Sequence, residues 1–282
     1  MKKLYFFLII FAVSVLYSNC QEKKTLNIIM IGAHPDDCDI RFGGTAHLYS
    51  QMGHKVRFVA LCNGNKGHYK ISPDELAKIR KGEARESGRR FGVDYVVLDY
   101  PDCELMPTLQ VRDDVIRLIR EWNADVVITH RPNDYHADHR YTSEAVQDAA
   151  YLVIVPHTLS EVPALKKNPV FIYCQDNFKK PLPFSADIVV DITSVVDKKI
   201  YGMMAHKSQF FDWLPWTNGN LESVPEGENE RAAWLLEQRA DLPGFNRKIE
   251  SGKPRYTEAF ELCEYGRKPS AEELKLLFPM KK

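Results

Sequence analysis

The segment Leu26–Ala33 reads LNIIMIGA and is apolar at nearly every position. A strand with one wet face alternates apolar and polar residues. An almost unbroken run is instead the pattern of a strand covered on both faces, inside a sheet with helices packed on either side. Val56–Cys62, Tyr95–Asp99 and Asp125–His130 read as further strands, with later ones at Val170–Cys174 and Asp187–Asp191. Helices fall between them. A short one at Thr45–Met52 follows Gly43-Gly44. Another opens on Ser72-Pro73-Asp74-Glu75, a capping box, and stops at Gly92. Val111–Trp122, Thr142–Tyr151, Val195–Phe210 and Glu228–Arg239 complete the set. This alternation predicts an α/β, three-layer fold with a mainly parallel sheet and right-handed crossovers. With strand order 3-2-1-4-5, the ligand crevice lies outside the carboxyl ends of the first and fourth strands.

Composition narrows the function. The 282 residues carry 38 basic and 38 acidic side chains, so no positive field exists to hold a phosphate backbone, and nucleic acid is excluded as the expected partner. Six cysteines without C-x-x-C spacing form neither a disulfide framework nor a zinc knuckle. Met1-Lys2-Lys3 precedes an apolar run, Leu4–Tyr17, shorter than the roughly 20 residues that span a bilayer and suited to a signal sequence. Tyr17-Ser18-Asn19-Cys20 resembles a relaxed bacterial lipobox. The expectation is a signal peptide at 1–19, a tether at 20–25 and one domain at 26–282, with the Pro-rich stretch 162–183 lying within it. The protein is expected to be exported, periplasmic or at the cell surface, and anchored through a lipid on Cys20.

The chemistry-bearing residues gather at two strand ends. His34-Pro35-Asp36-Asp37 follows the first strand, and His130 to His139 (HRPNDYHADH) follows the fourth. Zinc accepts imidazole nitrogen and carboxylate oxygen, and catalytic sites use three protein ligands. His34, Asp37 and His139 supply such a set, leaving Asp36 as a base and His136 with Asp138 for proton work.

His34-Pro35-Asp36-Asp37 paired with His136-Ala137-Asp138-His139 resembles the PIG-L (LmbE-like) family of zinc-dependent de-N-acetylases. Gly43-Gly44-Thr45, Cys62-Asn63-Gly64-Asn65-Lys66-Gly67, Arg80 with Glu83, Pro101-Asp102 and His206-Lys207-Ser208-Gln209 extend the likeness along most of the chain. The resemblance implies a Rossmann-like fold with a metal at the carboxyl ends of the strands, Zn²⁺ or else Fe²⁺, Mn²⁺ or Co²⁺. It implies that His34, Asp37 and His139 hold the metal and that Asp36 deprotonates the attacking water. His136 would stabilise the oxyanion, with Asp138 orienting and charging His136. The implied substrate is an N-acetyl amino sugar, N-acetylglucosamine or a conjugate. Two departures bear on this. Asp39 stands where the family usually has Glu, which touches support of the metal, and Arg41-Phe42 replaces small residues, which touches the width of the pocket.

Other residues carry two readings each. Arg80 and Glu83 share the inward face of their helix, as an internal ion pair or as sugar-placing groups. Asp102 forms a turn or binds a sugar hydroxyl. His130 and Asp134 are satisfied strand-end residues or substrate contacts. Phe210, Phe211, Trp213 and Trp216 are core, a subunit contact or a stacking platform. Two further functions compete with deacetylation of a sugar: a metal-dependent glycan-binding lipoprotein without turnover, and a deacylase of a small non-sugar N-acyl amine.

Overall fold

The computed structural model describes residues 25–281, so the segment expected to be a signal peptide and most of the expected tether, Cys20 included, lie outside the described residues. Seven strands form one sheet: β1 (Asn27–Gly32), β2 (Lys55–Cys62), β3 (Asp94–Tyr100), β4 (Val126–Thr129), β5 (Val170–Cys174), β6 (Ile188–Asp191) and β9 (Thr257–Gly266). Their order is β3-β2-β1-β4-β5-β9-β6. The first five are parallel, and β9 runs antiparallel to both β5 and β6. A hairpin of β7 (Lys248–Glu250) and β8 (Lys253–Arg255) stands apart.

Successive residues of β1 feed opposite cores, which is why the run is unbroken. Ile28 and Met30 pack with α1 (Asp37–Gln51), α2 (Pro73–Phe91) and α5 (Val196–Met203). Ile29 and Ile31 pack with α3 (Leu109–Trp122) and α4 (Ala137–Leu152) on the other face. Each such side chain contributes about 1.5–3 kcal/mol by burial, so both layers are anchored through one strand. The predicted three-layer α/β fold and the 3-2-1-4-5 order are therefore observed, with the crevice between β1 and β4.

Four local expectations change. The helix expected from Thr45 begins at Asp37. Its two glycines are there for close packing: a Cβ on Gly43 would lie 2.8 Å from Phe91 Cζ, and one on Gly44 would lie 2.7 Å from Ile192 Cγ2. The helix expected from Thr142 begins at Ala137, which puts Asp138 and His139 in its first turn. Ser72 does occupy the N-cap of α2, but its side chain makes no capping bond; its carbonyl accepts the Leu76 N–H at 2.8 Å. The helix expected over 195–210 ends at Met203, and a single π-turn follows at Ser208–Trp213. Three side chains at this break point inward to partners described below, the kind of site where π-turns concentrate. The remaining elements are the short α6 (Leu214–Thr217), α7 (Glu228–Arg239) and α8 (Ala271–Leu277).

Candidate metal centre

β1 ends in a tight turn held by its own carboxylate. Asp37 Oδ2 accepts the backbone N–H of Ala33 at 2.9 Å and of His34 at 2.7 Å. That turn aims His34 and Asp37 into the crevice. Beyond β4, Asp134 Oδ1 accepts the His136 N–H at 2.9 Å, and His136 caps α4 by accepting the Asp138 N–H on Nδ1 at 3.2 Å. His139 is thereby presented from the first turn of α4.

Three donor atoms from the two strand ends converge. His34 Nδ1 lies 3.2 Å from His139 Nε2 and 3.6 Å from Asp37 Oδ2, and His139 Nε2 lies 3.4 Å from Asp37 Oδ1. A tetrahedral zinc with bonds of about 2.0–2.2 Å sets its ligand atoms roughly 3.4 Å apart. Two other His/Asp groupings overlap this one, His34-Asp102-His136-Asp138 and His130-Asp134-His139. They read as its support, because they hold the outward nitrogens of the same imidazoles. His34 Nε2 lies 3.1 Å from Asp138 Oδ2 and 3.0 Å from Asp102 Oδ1. His139 Nδ1 lies 3.1 Å from Asp134 Oδ1. Carboxylates behind the ligating histidines fix tautomer and ring orientation in metal sites.

Charge points the same way. Burial opposes protonation of His34, yet Asp102, Asp138 and Asp37 hold its pKa well above the ordinary value. His139 is likewise buried, and Asp37 and Asp134 bring it up to about 9. Asp37 is held well below the carboxylate range: burial would raise it, but His139 and His130 outweigh that. Asp37, Asp102, Asp134 and Asp138 thus favour two positive charges, one on each of His34 and His139. A dication supplies both and leaves the imidazole lone pairs free to face it.

The triad lines an open cavity of about 280 Å³ together with Asp36, Arg41, Tyr135, Gln209 and Arg239 among others. Asp36 is 4% exposed and makes no helix-capping bond; its Oδ2 accepts from Gln209 Nε2 at 3.0 Å. Burial, then the neighbouring Asp37 charge, raises its pKa. Arg80 stands behind Gln209, donating to its Oε1 and to the Gly67 carbonyl at 2.9 Å.

The remaining expectations divide. Asp138 does not hold His136, whose Nδ1 lies 3.9 Å from the carboxylate. The Asp138 side chain turns inward to His34 Nε2 and to the Cys103 N–H at 2.7 Å, because α4 starts at Ala137 and buries it completely. The His136 pKa is lowered by burial and by His34 and His139, against the expectation of a charged ring. Arg80 and Glu83 do not pair with each other; Glu83 accepts the Ser208 N–H at 2.8 Å and its hydroxyl at 2.6 Å. Arg80, Asp102 and His130 stand behind the cavity wall, and Asp134 alone of the four suggested sugar contacts lies on it. His130 Nε2 accepts the Ala33 N–H at 3.2 Å.

Asp39 supports the fold around the site rather than the triad. It is bonded by Ser87, by Tyr95 OH at 3.0 Å and by His206 Nε2 at 3.0 Å. Phe42 is core against Phe58 and Phe260 and does not narrow the pocket, whereas Arg41 lines it. Phe210 and Phe211 are buried. Trp213 stacks on Trp216, and Trp216 on Tyr69, as a partly exposed ladder. The role of Gln209 and the presence of Arg239 on the wall were not assigned from sequence. Both come from segments whose helical pattern carries no sign of which side chain turns inward.

Comparison with known proteins follows the geometry. Residues 29–150 match the family model described as PIG-L, GlcNAc-PI de-N-acetylase. A diacetylchitobiose deacetylase of Thermococcus kodakarensis is 28% identical over 201 residues, 67% of this chain and 73% of that protein. A 4-oxalmesaconate hydratase of Pseudomonas putida is 22% identical over 225 residues, 74% of this chain and 86% of the relative. The solved structure of N,N'-diacetylchitobiose deacetylase from Pyrococcus horikoshii superposes with a TM-score of 0.64 at 25% identity, covering 87% of this chain and 86% of that one. Relatives on this scaffold therefore include both a deacetylase and a hydratase.

Proposed function

We propose that this chain, which carries a PIG-L family domain over residues 29–150, hydrolyses the acetamide of an N-acetyl amino sugar to acetate and free amine. The observation that carries this reading is Asp36: a buried carboxylate beside the triad, outside its ligand set, on the wall of the same cavity. Hydrolysis of an unactivated amide needs a base next to an electrophilic centre, and this arrangement provides the base.

His34, Asp37 and His139 would hold the metal, which we propose to be zinc. When bound, such a cation polarises the amide carbonyl and acidifies water. The protein supplies the rest. Asp36, oriented by Gln209, takes the proton of the attacking water and is placed to return it to the leaving nitrogen. His136 stands outside the cavity lining and accepts the Asp138 N–H on Nδ1, so in its neutral form the proton sits on Nε2, the N–H it would offer to the developing oxyanion. Asp102 and Asp138 hold the His34 ring, and Asp134 holds His139.

The test is acetate release from N-acetylglucosamine and its short oligomers. Activity should disappear on chelation and return with Zn²⁺, and His139→Ala should remove both metal and activity. Failure to release acetate from any amide by the metal-loaded protein would overturn the reading. The hydratase reaction of the Pseudomonas relative would then be the one to assay.

Export and anchoring through Cys20 are also proposed, on the signal-like run and the residues before the cysteine. Cys20→Ala should shift the protein from the membrane to the soluble fraction and remove the lipid mass. Unchanged fractionation and mass would discard the anchor.

A further inference from the structure

Arg41 and Arg239 stand on the wall of the cavity that holds the triad, one from α1 and one from the last position of α7. Among the described residues, neither guanidinium has a carboxylate within ion-pairing distance. Arg41 makes one long bond, NH1 to the Pro243 carbonyl at 3.4 Å. The Arg239 guanidinium lies 5.2 Å from the centroid of the Phe210 ring and, among the described residues, has no hydrogen-bond partner.

Two buried arginines of this protein, Arg131 and Arg120, use every guanidinium nitrogen. Arg131 meets Asp176 at 3.0 Å, Glu261 at 3.1 Å and the Leu182 carbonyl at 2.9 Å. Arg120 donates to backbone carbonyls of 152–162, including Val153 at 3.0 Å and Thr158 at 2.7 Å. A guanidinium offers five N–H donors, and Arg41 and Arg239 leave most of theirs open on the cavity wall.

We propose that Arg41 and Arg239 form an oxyanion-binding subsite, and that the amino sugar deacetylated here carries an acidic group, carboxylate or phosphate. This rests on the deacetylase reading for the reaction and on the two arginines for the substrate. Two like charges on one wall repel each other. Burial works against the Arg239 charge, and Asp36 and Arg41 pull on it in opposite directions. An oxyanion relieves both costs at once, and arginine's planar fork suits carboxylate and phosphate geometry. The competing explanation is that the arginines only balance Asp36, Asp37 and Asp134. It is weaker because a bound dication already supplies that charge. The cavity, about 280 Å³ and open to solvent, lies just below the roughly 300–1,000 Å³ of small-ligand sites, the scale of one sugar unit rather than a chain of them.

Three substrates test this with the metal-loaded full chain: N-acetylglucosamine, N-acetylglucosamine 6-phosphate and N-acetylmuramic acid, which carries a carboxylate. At least one acidic sugar should exceed the neutral one in kcat/KM by about tenfold, the scale of a charge-assisted hydrogen bond. Which of the two is preferred names the acid. Raising the salt concentration should shrink the ratio. Arg239→Gln and Arg41→Gln should each bring it towards one, and Arg239→Lys should restore part of it. Calorimetric binding of glucosamine 6-phosphate against glucosamine reads the subsite without turnover. Acidic amines that bind tightly while no acetate is released would keep the subsite and discard the deacetylase reading. Equal kcat/KM for all three sugars, unmoved by either Gln variant, would overturn the subsite and leave the reaction standing. The two Gln variants lie on different elements, so misfolding of one leaves the other to decide.

Discussion

Replacing Asp36 by Asn should cut acetamide hydrolysis by about 10²–10⁴-fold while leaving the metal content of the protein unchanged. The expected separation follows from position. The three donor atoms that converge belong to His34, Asp37 and His139, and Asp36 contributes none of them. Asparagine keeps the shape of the side chain and can still meet Gln209, but it has no basic oxygen for the proton of water. The same change should stabilise the metal-free protein. Burial and Asp37 raise the folded-state pKa of Asp36 above its unfolded value, so the folded protein holds that proton more tightly. Stability is then lost as pH rises from the unfolded pKa through the folded one, and at neutral pH the ionised carboxylate is a cost that asparagine removes. Steady-state acetate release, metal analysis and a thermal melt of the apo protein check the three parts. Loss of metal together with activity would move Asp36 into the ligand set. Full activity would remove it from the reaction. Gln209→Ala should show a milder version, about tenfold in rate, since it orients the carboxylate without supplying the base.

Strand ends were the legible part of this protein. Leu26–Ala33 announces a doubly covered strand, and the residues just past it and past Asp125–His130 must meet wherever the first and fourth strands are neighbours. Geometry therefore brought His34, Asp37 and His139 together as their spacing suggested. What the two motifs could not reveal is the partner of each polar group behind them. Asp138 looked destined for His136, its near neighbour in sequence. One more turn of helix at the start of α4 points it instead at His34, a residue 104 positions away. The segment after Val195 hid more. Its helical pattern conceals a break at 204–207, and that break sends His206 to Asp39, Ser208 to Glu83 and Gln209 to Asp36. β9 escaped notice because Glu258, Glu261 and Glu264 interrupt its apolar residues. A buried glutamate reads as a surface residue until its counter-charge, here Lys199, is known.

That pair carries the other large effect. Lys199→Met should destabilise the protein by about 3–5 kcal/mol, the usual cost of leaving one member of a buried ion pair without its partner. At roughly 2–4 °C per kcal/mol for a domain of this size, the melting temperature should fall by about 10 °C. Both side chains are fully buried. Lys199 Nζ donates to Glu258 Oε1 at 2.7 Å, to the Ile40 carbonyl at 2.7 Å and to the Gly244 carbonyl. Glu258 accepts the Gly44 N–H at 2.9 Å and the Thr45 N–H at 2.8 Å. Ile40 and Gly44 are i and i+4 on α1, natural partners in a helix ladder. The ion pair engages that link from outside, with lysine on the carbonyl and glutamate on the amide. Deleting lysine alone strands a carboxylate in the core. Deleting both in Lys199→Met/Glu258→Met leaves no unpaired charge in the core, so the double variant should be more stable than Lys199→Met by at least about 2 kcal/mol. Denaturant unfolding of the single and double variants measures this directly. A double variant as unstable as the sum of the singles would show that the pair positions α5 and β9 against α1 in its own right. Equal loss of metal affinity in both would then trace to Asp37, one helical turn before Ile40 on the same helix.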